Sequence, residues 1–209
     1  MKFGEGNTTT PAPEGTHAAR CFAVIDLGTQ TSEWQGETLS KRKVLLGFEL
    51  PDEMHTFDAK EGPRPFSVWS QYTASMHPKS QLRPTLEAWR GQKFAAGEAK
   101  DFEFKNLLGV PAMVTITHNE RGYANIAAIA KMPKGMKCAP PVNPKRYLSL
   151  EKAEFDPKDY SALSEKLKEK IAKSPEYQHL FDKSEPSESE ASHGEEAPPA
   201  EDTDSSVPF

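Results

Sequence analysis

The chain has 209 residues, 36% of them hydrophobic, with 18 prolines and a formal net charge of −5, which is room for one sizeable domain plus irregular extensions. The charge is unevenly spread: residues 40–150 carry 17 basic and 10 acidic side chains, whereas residues 182–209 carry nine acids and one lysine. A basic body points to a polyanionic partner, and the absence of an apolar run of ~18 residues excludes a membrane-spanning helix.

Residues 1–15, "MKFGEGNTTTPAPEG", lack the apolar stretch of a secretory signal and read as a flexible lead. Residues 16–28 predict a first strand, with Cys21, Ala23, Ile25 and Leu27 alternating with Arg20, Phe22, Val24 and Asp26. "TQTSEWQGETLS" predicts a polar hairpin-like loop turning at Gly36. A second strand is expected over 41–50, ended by Pro51, and a third over 65–74. Leu82, Leu86 and Trp89 share one face of a helix that should start at Pro84 and end at Gly91. A short helical piece is expected within residues 92–109. "PAMVTITH" and "YANIAAIAKM" then predict a fourth and a fifth strand, joined by the tight turn "NERG".

Three strands, a helix and two more strands fit a mainly β protein with minor α. The match is to an OB-fold-like five-stranded barrel with its helix between strands 3 and 4, spanning residues 16–140. Other small α+β folds share that order. Residues 141–181 read as a proline-rich connector and a short lysine-rich helix around Leu163, Leu167 and Ile171, stopped or kinked by Pro175. Residues 182–209 are too poor in apolar side chains to offset their ordering entropy and are expected to be a disordered acidic tail.

No phosphate-binding loop, dinucleotide fingerprint, HExxH or GxSxG occurs, and no two of the six histidines stand at metal-ligand spacing, so no enzyme, metal or cofactor is expected. Cys21 and Cys138 lie far apart and outside any CxxC spacing, which argues for a reducing cytoplasm rather than a zinc site or disulfide framework.

The binding signal is stronger. In the third strand Trp69 falls among Ser67, Gln71 and Thr73, on the side opposite Phe66, Val68 and Tyr72. It is either a base-stacking platform or a structural residue that caps a barrel end or packs under a loop. Trp34 lies in the first loop, as a second platform or a loop anchor, while Trp89 and Tyr72 are core candidates and Phe22 leans the same way. Lys41, Arg42 and Lys43 form the densest basic cluster and, with Arg64, could track a phosphate backbone beside the aromatics; alternatively the run is a solvated strand end. No spacing points to sequence-specific readout.

The last residues, "EDTDSSVPF", join an acidic tip to a hydrophobic end. A basic body followed by such a tip resembles bacterial single-stranded DNA-binding proteins. The resemblance implies that Asp202, Asp204, Val207, Pro208 and Phe209 dock replication, recombination and repair proteins, and that the tail competes with DNA for the basic groove. "LEAWRG" and "NLLGVPAMVTITHNERGYANIAAIAKMPKG" are similar to phage-encoded proteins found among replication genes, over residues 19–137. The expected function is sequence-independent binding and protection of single-stranded DNA, with no membrane partner; the helix near Leu163 or an edge strand could pair two copies. The rivals are a protein-interaction adaptor that never touches DNA and a nucleic-acid-processing enzyme.

Overall fold

The computed structural model describes residues 10–34, 36–95 and 97–181, with the side chain of Trp34 outside that set. The docking expectation for Asp202, Asp204, Val207, Pro208 and Phe209 lies outside the described residues. The protein is mainly β: β1 (Gly15–Trp34), β2 (Glu37–His55), β3 (Arg64–Thr73), β4 (Pro111–His118), β5 (Ala124–Ala130) and the short β6 (Arg146–Leu148). The helices are α1 (Leu82–Arg90), α2 (Pro157–Ser161), α3 (Glu165–Ala172) and α4 (Pro175–His179), with a 3₁₀ turn at Phe104–Leu107.

Five strands run antiparallel in the order β3-β2-β1-β4-β5, and β6 pairs in parallel with β1. The sheet is open: among the described residues no ladder joins β3 to β5. β4 takes β1 from Gly15 to Arg20, and β6 takes over from Ala23 to Ile25. β3 stays paired with β2 as far as Lys43 and Thr73, and beyond Gly28 β1 and β2 continue alone as a two-stranded arm.

The arm is longer than expected. The segment predicted as a loop is strand on both sides of the turn, with Trp34 opposite Glu37 and the Thr31 and Ser40 hydroxyls 3.2 Å apart. Polar side chains hid the strand from hydropathy, yet threonines favour extended backbone and pair across it. β2 also passes Pro51. The register jumps from Leu50–Phe66 to Met54–Pro65, so the proline sits in a bulge, where its missing N–H interrupts no ladder bond.

Two cores flank the sheet. On one side Val44, Leu46, Phe48, Val68 and Ile116 pack against Leu82, Leu86 and Trp89 of α1. The indole N–H of Trp89 donates to the Pro111 carbonyl at 2.8 Å. The helix begins two residues before Pro84. Thr85 N–H bonds Gln81 O, so the proline nitrogen falls in the first turn, where no intrahelical acceptor exists. Gly91 caps the far end in the left-handed conformation, as the sequence predicts.

The second core corrects the expectation of a connector with one short helix. Leu148, Leu150, Leu163 and Ile171 are buried with Phe22, Ala23, Ile25 and Leu27 of β1. At ~1.5–3 kcal/mol per fully buried aliphatic side chain, those four residues contribute on the order of 6–12 kcal/mol. The predicted single helix is three short ones; the Asp156 and Ser174 side chains cap the first and third by accepting from the Lys158 and Tyr177 amides, and Ser164 precedes the second without a capping bond. Residues 138–143 are tied down as well. Arg20 donates to the carbonyls of Ala139 (2.8 Å) and Cys138, and the buried Glu49 accepts from the amides of Val142 and Asn143 at 2.6 and 2.7 Å. Residues 10–14, expected in the lead, are also held: Ala12 is buried and its carbonyl meets the His118 ring at 2.7 Å.

β1 faces both cores, and a bulge at Phe22 switches which alternate residues face each. Cys21 pairs with Phe48 and Ala23 with Gly47, leaving Phe22 as the extra residue. Ala19 and Cys21 therefore face the α1 core, while Ala23, Ile25 and Leu27 face the C-terminal helices.

Candidate nucleic-acid interface

β3 is the last strand of the sheet, and along it runs an open groove of about 990 Å³. Phe57, Arg64 and Trp69 line it, together with Arg121 and Tyr123 from the β4–β5 turn and Asn143. Three large aromatics stay solvent-accessible there: Trp69 at 39%, Phe57 at 48% and Tyr123 at 66%. Exposed aromatic rings gathered with arginines in one channel are the combination that holds unpaired bases and their phosphates.

Each ring is held by its surroundings. Trp69 lies over Gly47, its cross-strand partner; a Cβ at residue 47 would stand 2.6 Å from the indole, so only glycine leaves room for it. Phe22 meets the same ring edge-on at a centroid distance of 5.2 Å. Phe57 packs edge-on against both His55 and Phe66. Tyr123 is set by Asn119, whose side-chain oxygen accepts from the amides of Arg121 and Tyr123, both at 3.0 Å.

The structure brings Arg64 and Trp69 into one groove and separates the basic cluster. Arg64 pairs with the exposed Glu61 at 3.2 Å, a contact worth little in water. Arg42 points to the α1 side of the arm, where its guanidinium engages Asp26 (Nε to Oδ2, 3.1 Å). The hydrogen bond to Asp26 raises the arginine further above its already high pKa, and its charge is largely spent inside the protein. Lys43 points to the other side, where its ammonium donates to the Thr73 hydroxyl at 2.9 Å. Lys41 lies further out on the arm, exposed, and Trp34 ends β1 at the arm's tip.

Compared with protein-family models, curated proteins and solved structures, the chain matches none.

Phe57, Arg121 and Tyr123 were not singled out by sequence. Phe57 sits in a loop between β2 and β3, and only the proximity of Arg121 and Tyr123 to β3 makes them part of one surface. A second hollow, of about 510 Å³, lies between α1 and the 3₁₀ turn. Its rim carries Glu98, Asp101 and Glu103, and Arg90 there is already paired with Glu98 at 2.6 Å, so its charge has the wrong sign for phosphate. Among the described residues no three His, Cys, Asp or Glu side chains gather as metal ligands, and no helix is long and apolar enough to cross a membrane. Both thiols are free, and burial pushes Cys21 up to about 12, so that thiol is no nucleophile at neutral pH.

Proposed function

We propose that this protein binds single-stranded DNA without sequence preference, by stacking bases on Trp69, Phe57 and Tyr123 while Arg64 and Arg121 meet the phosphates. The observation that carries this reading is the convergence of three exposed rings and two arginines on the open edge of β3. Rings stack on any base, and none of these side chains is placed on a helix or ribbon shaped for a duplex groove.

The sheet order supports an OB-fold reading of the same surface. Its end strands, β3 and β5, flank a hollow of about 300 Å³, with Ser70–Tyr72 on one wall and Ile126–Ile129 on the other. Closing that gap would complete a five-stranded barrel with α1 between strands 3 and 4, and OB barrels are often partly open. In that frame the β1–β2 arm and the β4–β5 turn are the two loops that grip oligonucleotides. The resemblance noted above adds a role in phage replication or recombination, with the acidic tip from Asp202 to Phe209 recruiting partner proteins.

The test is a titration of intrinsic Trp fluorescence with oligo-dT, repeated with a duplex. Saturable quenching by the single strand alone is expected. Trp69→Ala should weaken binding by roughly tenfold, the equivalent of ~1–3 kcal/mol for one stacked base. Absence of quenching together with absence of any gel shift overturns the proposal and favours the adaptor.

A further inference from the structure

The C-terminal helices carry a cation to the surface that holds Trp69. Trp69, Gln71 and Thr73 alternate along β3 and share one side of the sheet. The Lys170 ammonium of α3 donates to the Gln71 side-chain oxygen at 2.6 Å. The Lys43 ammonium of β2 donates to the Thr73 hydroxyl at 2.9 Å. One side of β3 thus presents an indole, then an ammonium, then a second ammonium. Alternate strand residues are spaced by ~6.6 Å, which is comparable to the phosphate step of an extended polynucleotide.

The partners of these two lysines decide what they can do. Arg42, Arg64, Arg83, Arg90 and Lys168 each face a carboxylate within 4.0 Å. Lys43 and Lys170 are held by neutral oxygens and are in none of the ion pairs of the described residues. A lysine ammonium has three donors. One positions the group, and the others, with the full charge, remain for an incoming anion.

We infer that the single strand does not end at the groove but passes over Trp69 and follows β3 toward the arm, with successive phosphates on Lys170 and Lys43. α3 is then part of the nucleic-acid surface as well as a cover for the second core. This path rests on the single-strand reading above. It adds a contact from a segment, "EKLKEKIA", that the sequence marks only as a short lysine-rich helix.

The experiment is fluorescence anisotropy of a dye-labelled oligo-dT with the full chain, over a series of salt concentrations. Wild type is compared with Lys43→Met, Lys170→Met, the double variant and Lys93→Met as a control. Methionine keeps the aliphatic stem and removes the charge. Each phosphate contact on a single strand contributes ~0.7 to the slope of log affinity against log salt. The slope should fall by about 0.7 in each single variant and about 1.4 in the double, and stay unchanged for Lys93→Met. Tight binding with an unchanged slope in the double variant overturns the path and leaves the groove standing. No binding of wild type to the oligonucleotide removes both.

Discussion

Trp69 owes its position to a missing side chain. Gly47 lets the indole lie on β2, and Phe22 holds its edge, so the ring is fixed yet more than a third exposed. Gly47→Ala places a methyl 2.6 Å from the ring and must lift it. We expect a loss of about 1–3 kcal/mol by denaturant unfolding, the usual cost of overpacking, and a red-shifted tryptophan emission; an unchanged spectrum would mean the ring does not rest there. Strand alternation was enough to read Trp69 as solvent-facing, because period two is local. Alternation also separates Arg42 from Lys41 and Lys43. What it cannot give is that Asp26 waits on one side for the arginine and Thr73 on the other for Lys43.

At the scale of elements, pattern reading succeeded where a strand or helix has one buried face. β4 matches its predicted bounds, and β3 and α1 fall within two residues of theirs. It fell short where a strand changes faces or has none. The alternation of β1 shifts by one at the Phe22 bulge, and the arm beyond Gly28 has no apolar face to reveal it. α4 anchors the base of that arm through Glu176, which accepts from the Thr29 amide at 2.8 Å and the Thr29 hydroxyl at 2.5 Å. Gly28, at φ +66°, leaves space for the Ser174 cap that a Cβ would fill. Burial pushes the Glu176 carboxyl up, but the two Thr29 bonds and the Arg42 charge outweigh it and hold the group below the usual glutamate range. A lowered pKa contributes stability above the ordinary glutamate value of about 4.3, lost as pH falls through the lowered value. Glu176→Gln should therefore lower Tm by about 2–4 °C at pH 7, the shift expected for ~1 kcal/mol in a chain of this size. The gap from wild type should close progressively as pH falls below about 4.3. A constant gap over that range would show that the carboxylate's charge is not what matters.

For the whole molecule, the sheet is the middle layer between two cores. The ~6–12 kcal/mol from Leu148, Leu150, Leu163 and Ile171 is of the order of a typical domain's entire stability. A chain ending at residue 140 would expose Phe22, Ile25 and Leu27. We expect it to lose its cooperative thermal transition and to bind a hydrophobic dye, when compared with a chain ending at residue 181. A sharp transition at a similar Tm would show that the first core is sufficient. The groove belongs to the same scale, since its walls come from five separate parts of the chain: residues 10–12, the β2–β3 loop, β3, the β4–β5 turn and the segment at Asn143.

By itself the sequence determined what local chemistry can determine: a mainly β body with one helix after three strands, Trp69 on the solvent side of β3, Trp89 in the core and a basic body followed by acids. Those readings depend on periodicity, glycine and proline positions and charge counts, which act over a few residues. The tertiary structure decided which far-apart groups meet. It brought Phe57, Trp69 and Tyr123 to one groove, and set Arg42 against Asp26, Lys170 on Gln71, and the C-terminal helices over β1. Such contacts depend on strand register, a one-residue bulge and the crossing of distant segments, and nothing in the spacing of residues 147 positions apart announces that Thr29 will meet Glu176.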